Sequence, residues 1–129
     1  MRIFMTGWFV RFARKERLSE DALRDAVERA ERGQIDADLG GGVIKQRVAR
    51  QGQGKSGGYR MIVLYRSRFR AIFTYGFAKS RKADLDPDEL EVYRELAKAY
   101  LALAEHAIDA HVAEGRLVEI AEDDQEDQA

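Results

Sequence analysis

From residue 39 to residue 83 the chain contains no Asp or Glu, while residues 40–82 carry eleven Lys and Arg. The apolar residues of that stretch fall in short glycine-bounded runs with the length and alternation of strands, which implies a sheet whose charged side chains are all cationic. The whole chain has 23 acidic and 22 basic residues, so its net charge of −1 conceals a segment of +11 set against −12 for the remainder. Such asymmetry points to a polyanionic partner.

The sheet pattern begins after Gly40-Gly41-Gly42 with Val43, Ile44, Lys45, Gln46, Arg47 and Val48. Strand alternation puts Ile44, Gln46 and Val48 on one face. Lys45 and Arg47 share the other, about 7 Å apart at roughly 3.3 Å per residue. Residues 51–58 read as a hairpin loop longer than a tight turn, and 59–65 and 69–75 as the next two strands, joined at Arg66-Ser67-Arg68. Met61-Ile62-Val63-Leu64 is apolar throughout, as a central strand covered on both faces requires. Arg66, Arg68 and Arg70 flank the turn and read as solvated or edge-protecting cations. The other cations are expected to converge on one concave surface free of carboxylates.

Helical patterns lie on either side of the sheet. Met1, Ile3 and Met5 suggest a short first strand, and Thr6 caps a helix through about Lys15 in which Trp8 and Phe12 read as core residues and not as a platform for base stacking. Ser19 then caps a helix with Leu23, Ala26, Val27 and Ala30 on its apolar face and Gly33 as its stop. Asp86-Pro87-Asp88-Glu89 has the form of a capping box with proline at the first helical position. The apolar stripe from Leu90 to Val112 predicts one long helix ending at Gly115. Leu117, Val118 and Ile120 suit a short strand or a docking tail. The expected fold is α+β in the order β-α-α-β-β-β-α, an antiparallel sheet of about four strands with two N-terminal helices and one long C-terminal helix.

At 129 residues the chain is the size of one domain, read here as 1–120 with an acidic, disordered tail over 121–129. That tail reads as a solubility aid; a second reading has it fold over the basic face as a mimic of RNA. With no cysteine, a disulfide framework and thiolate metal sites are excluded, and with no apolar run of about 18 residues the expected location is the cytoplasm. Gly54-Lys55-Ser56 matches the end of a phosphate-binding loop, but Ala49 stands at its first glycine and a strand follows in place of a helix. No acidic or histidine cluster near the sheet suits a metal, so none is expected there, nor any cofactor. His106 and His111 lie outside the basic segment and read as surface residues.

The ordered motifs Val43-Ile44-Lys45-Gln46-Arg47-Val48, Gly54-Lys55-Ser56-Gly57-Gly58-Tyr59-Arg60, Phe73-Thr74-Tyr75-Gly76-Phe77-Ala78-Lys79-Ser80 and Asp84-Leu85 resemble the RelE/ParE superfamily of toxin–antitoxin toxins, most closely its HigB-like RelE branch. The resemblance runs from the two leading helices to the start of the last. It implies a small endoribonuclease that acts on messenger RNA at the ribosome and is held inactive by a cognate antitoxin. By the same resemblance Lys45 and Arg47 are the strand cations, Arg60 the arginine after the glycines and Lys79 the closing cation. Lys55 and Arg81 are helpers, and Arg50, Tyr75 and Lys82 further RNA contacts. Where ribosomal nucleases of the family place a tyrosine after the last strand, this chain has Ala83-Asp84-Leu85, leaving Tyr75 or a more distant tyrosine for that role.

RNA is cut without metal or histidine when its own 2′-hydroxyl attacks the adjacent phosphate. Lysine serves as base if its pKa falls well below about 10.4, and crowding by other cations acts in that direction. Lys45 or Lys55 is the candidate proton acceptor. Arg47 and Arg60 are candidate phosphate clamps, with Lys79 or Arg81 near the leaving oxygen. The alternative is a non-catalytic binder: a ParE-like DNA gyrase inhibitor or an RNA-binding module.

Overall fold

The computed structural model describes residues 1–49 and 58–121. The elements in order are β1 (Arg2–Thr6), α1 (Gly7–Glu16), α2 (Glu20–Glu31), β2 (Ala37–Gly40), β3 (Val43–Val48), β4 (Tyr59–Arg66), β5 (Arg70–Ala78), α3 (Pro87–Ala102), α4 (Glu105–Ala113) and β6 (Leu117–Ile120). Among the described residues no helix is long and apolar enough to cross a membrane.

Local chemistry starts the helices where the sequence places their caps. The Phe9 amide donates to the Thr6 hydroxyl at 3.3 Å and the Ala22 amide to Ser19 at 3.1 Å. Asp86 and Glu89 close a reciprocal capping box with Pro87 inside the first turn. The strands form one six-stranded sheet in the order β2-β3-β4-β5-β1-β6.

Helices cover both faces of that sheet. One core joins Phe9, Leu23, Ala26 and Val27 of α1 and α2 to Ile44, Met61, Val63 and Phe73. The other joins Ala97 and Ile108 of α3 and α4 to Phe4, Val43, Ile62, Leu64 and Ile72. The continuously apolar part of β4 is buried on both sides, as a central strand must be. Alternation in β3 also follows the sequence: Ile44 and Val48 face α2, and the buried Gln46 donates to the Ala26 carbonyl at 2.9 Å.

The α+β class holds, with three differences. The sheet has six strands and is mixed, because β1 runs parallel to β5. Two strands beyond the expected four occupy the edges: β2, a four-residue segment with a bulge between Asp38 and Gly40, and β6, antiparallel to β1, the short strand that was one of the two readings of Leu117, Val118 and Ile120. The long C-terminal helix is broken at Leu103, whose φ of −65° and ψ of 140° are extended.

The cause of the break is Arg70. Its side chain is fully buried, and its guanidinium donates to the carbonyls of Tyr100 at 2.8 Å and Leu103 at 2.9 Å and to Glu105 at 2.7 Å. A continuous helix would offer its own amides to those carbonyls. Arg70 was expected at the solvated turn and instead takes the place of helical donors inside the fold. Arg70→Met should lower stability by about 3 kcal/mol, since each buried carbonyl left without a donor costs about 1–3 kcal/mol. A urea midpoint unchanged from wild type would contradict this.

Candidate functional site

The candidate catalytic cations come from the face of the sheet that α3 covers at its other end. Arg47 of β3 stands directly across from Arg60 of β4, and Arg60 across from Phe77 of β5. One pair further along, Lys45 faces Ile62, which faces Tyr75. Lys45, Arg47, Arg60, Tyr75 and Phe77 thus share one face. Lys79 follows just past the end of β5 and is exposed. Arg50 and Lys55 lie outside the described residues.

The face is not free of carboxylates, contrary to the expectation from sequence. Asp84, in the β5–α3 connection, accepts from the Lys45 ammonium at 3.2 Å. Asp36, just before β2, accepts from the Arg47 amide at 2.7 Å and from its guanidinium at 3.3 Å. Glu89, in the first turn of α3, accepts from Lys82 at 2.7 Å. All three acids lie outside the 39–83 segment, so separation along the chain does not survive folding. The crowding of cations expected around Lys45 is interrupted by Asp84.

These contacts shift the acids. Partial burial alone would raise the Asp84 carboxyl, but the Leu85 amide and the Lys45 ammonium bring it below its ordinary value. Burial likewise opposes, and the Arg47 amide and the guanidinium charges of Arg47 and Arg29 outweigh it, at Asp36. The Lys82–Glu89 hydrogen bond raises the lysine and lowers the glutamate.

Around the edge of β5 the chemistry changes. β1 pairs with β5 only as far as Phe73. Thr74 is then skipped in the pairing with β4, where Ile62 faces Tyr75 while Val63 faces Phe73. The Thr74 hydroxyl donates back to the Ile62 carbonyl at 2.9 Å. Beyond this bulge α1 replaces β1 as the neighbour of β5, and a cleft of about 600 Å³ opens between α1 and residues 80–82.

Trp8, which was expected in the core, is 39% exposed and lines this cleft. Its ring stacks on Phe12 with centroids 5.2 Å apart and an interplanar angle of 14°, and approaches Tyr75 at 4.7 Å. Tyr75 in turn stacks on Tyr93 of α3 at 5.9 Å. Burial pushes the Tyr93 hydroxyl up to about 12, with Tyr75 adding to the shift. Gly76 permits the close packing: a Cβ there would lie 2.5 Å from the Phe12 ring.

Arg11, Lys15 and Arg81 line the cleft, and none of them has a carboxylate partner among the described residues. Of these, sequence reasoning identified Arg81 but missed Arg11, Lys15 and the nearness of Tyr93. Trp8, Arg11, Phe12 and Lys15 have the i, i+3, i+4, i+7 spacing of one helix face, a signal hidden by reading the aromatic residues as core. The histidines stand apart: His106 is exposed, and His111 packs on Tyr100 and accepts from Arg116 at 2.9 Å.

Both Asp36 and Asp84 titrate lower in the folded chain than the roughly 3.9 of an unfolded aspartate. Their stabilising contribution is therefore complete above that value and fades as pH falls through it toward the folded values. Asp36 is the better probe, its side chain being 19% exposed against 56% for Asp84. Urea midpoints followed from about pH 6 to about pH 2.5 should fall more steeply for wild type than for Asp36→Asn, the two converging at the acid end.

A family model described as the RelE toxin of the RelE/RelB toxin–antitoxin system matches residues 1–120. No significant match to a curated protein or to a solved structure was found.

Proposed function

The chain belongs to the RelE toxin family, whose members are the toxins of toxin–antitoxin systems, and from that premise we propose that it cuts messenger RNA at the ribosome. The 2′-hydroxyl attacks the adjacent phosphorus as it loses its proton, a cyclic phosphate forms, and the bond to the 5′-oxygen breaks as that oxygen takes up a proton. The observation that carries this reading is the grouping of Lys45, Arg47 and Arg60 on one face of two adjacent strands, with Arg47 and Arg60 in direct register. Two guanidiniums at one level suit a phosphate gathering negative charge. Lys45 is assigned the 2′-hydroxyl proton and Lys79 the leaving oxygen. Tyr93, held protonated at neutral pH, supplies a hydroxyl donor next to Tyr75.

The acids on this face are compatible with the assignment. Asp84 is more than half exposed, and an exposed ion pair contributes about 0–1 kcal/mol. An incoming phosphate can displace it, which releases Lys45 from Asp84 while Asp36 still holds Arg47. The cognate antitoxin is the protein partner that membership of this family implies.

A second reading takes support from the same ion pairs. With Lys45, Arg47 and Lys82 all engaged by carboxylates, the face also suits a non-catalytic binder such as a gyrase inhibitor. Mapping transcript ends after induced expression separates the two. Cuts at in-frame codons are expected, whereas intact messages with DNA damage would replace the nuclease reading by the gyrase one. Lys45→Ala and Arg47→Ala should abolish cutting while leaving the protein folded. Arg60 is buried, so Arg60→Lys is the cleaner test there. Asp84→Asn, which removes the competitor for Lys45, should tighten RNA binding. The affinity should fall with salt at a log–log slope of roughly −0.7 per phosphate neutralised.

A further inference from the structure

The cleft beside α1 is assigned no role in the reaction above. It is lined by stacked aromatic rings, and its charged lining comprises Arg11, Lys15, Arg81, Lys82 and one acid, Glu16. That acid is engaged, accepting the Tyr59 hydroxyl at 2.6 Å. The volume of about 600 Å³ is in the range of sites that hold a ligand the size of a nucleotide.

We infer that this cleft is a base-stacking subsite for the single-stranded RNA next to the cut: one base lies on Trp8, and its phosphates are held by Arg11, Lys15 and Arg81. The inference rests on the nuclease reading and extends it by naming where the strand runs. Tyr75 and Phe77 line the cleft, and Phe77 is also the register partner of Arg60, so the path from aromatic stack to phosphate clamp crosses β5 beyond the point where its pairing with β1 ends. RNA fits this chemistry better than an acidic or apolar peptide does. Trp8 and Phe12 present near-parallel faces at 14°, a geometry a flat base can extend, and Arg11 and Lys15 of α1, without a carboxylate partner among the described residues, recur at the spacing of one helix face.

The chain has a single tryptophan, so its fluorescence reports on this cleft directly. The full chain is titrated with a six-nucleotide RNA whose 2′-positions are methylated to prevent cutting, and with the same oligonucleotide made abasic. Strong quenching by the first and little by the second is expected. Trp8→Ala should weaken binding of the labelled oligonucleotide about tenfold, and Trp8→Phe should retain most of it. An unquenched signal overturns the inference, as does equal quenching by the abasic strand. A response to the cognate antitoxin with none to RNA also overturns it and assigns the cleft to protein. Lys45→Ala separates the two readings: it should keep the quenching and lose cleavage. Cleavage that survives it overturns the catalytic assignment and leaves the cleft standing.

Discussion

A buried guanidinium sets the geometry of this fold. Arg70 opens β5 with no exposed surface, lies 4.3 Å from the centre of the Phe69 ring and ties two helical carbonyls to the first residue of α4. Its Nε has no hydrogen-bond partner among the described residues, so the guanidinium is satisfied at one end only. Because α3 stops there, α4 can turn back and deliver β6 to the far side of β1. Arg2 secures that return by pairing with Glu105, Asp109 and Glu119. β1 thereby becomes an inner strand, held parallel to β5 on one side and antiparallel to β6 on the other.

Much of this was legible locally. The caps at Thr6, Ser19 and Asp86 are short-range chemistry and form where the sequence places them. The alternation of β3 and the double burial of β4 follow from side-chain pattern alone. The helix break was not legible, since the stripe of Leu96, Tyr100, Leu101, Ile108 and Val112 reads straight through it and the competing donor comes from 30 residues upstream. β2 was hidden for another reason. Its residues ADLG alternate only Ala37 and Leu39 about Asp38 before the run of three glycines, too short a pattern to mark a strand.

The candidate site divides along the same line. The sequence placed Lys45 and Arg47 on one face, and the register adds Arg60 beside them. It could not show that Asp36 and Asp84 would come to rest on those cations, because charge runs report composition and not contact. Trp8 was misjudged for a related reason: helical spacing marks a face without saying what covers it. Here β1 ends early, and the face that would have met a sheet meets a cleft.

The bulge at Thr74 gives that arrangement a discrete origin. One unpaired residue offsets the alternation of β5, so that Phe73 faces α1 and α2 while Tyr75 and Phe77 fall on the side of α3. Without it the two aromatic residues would change sides and Gly76 would exchange layers with them. Strand length at one point, more than residue identity, therefore acts as a parity switch that decides which wall of the molecule receives its rings.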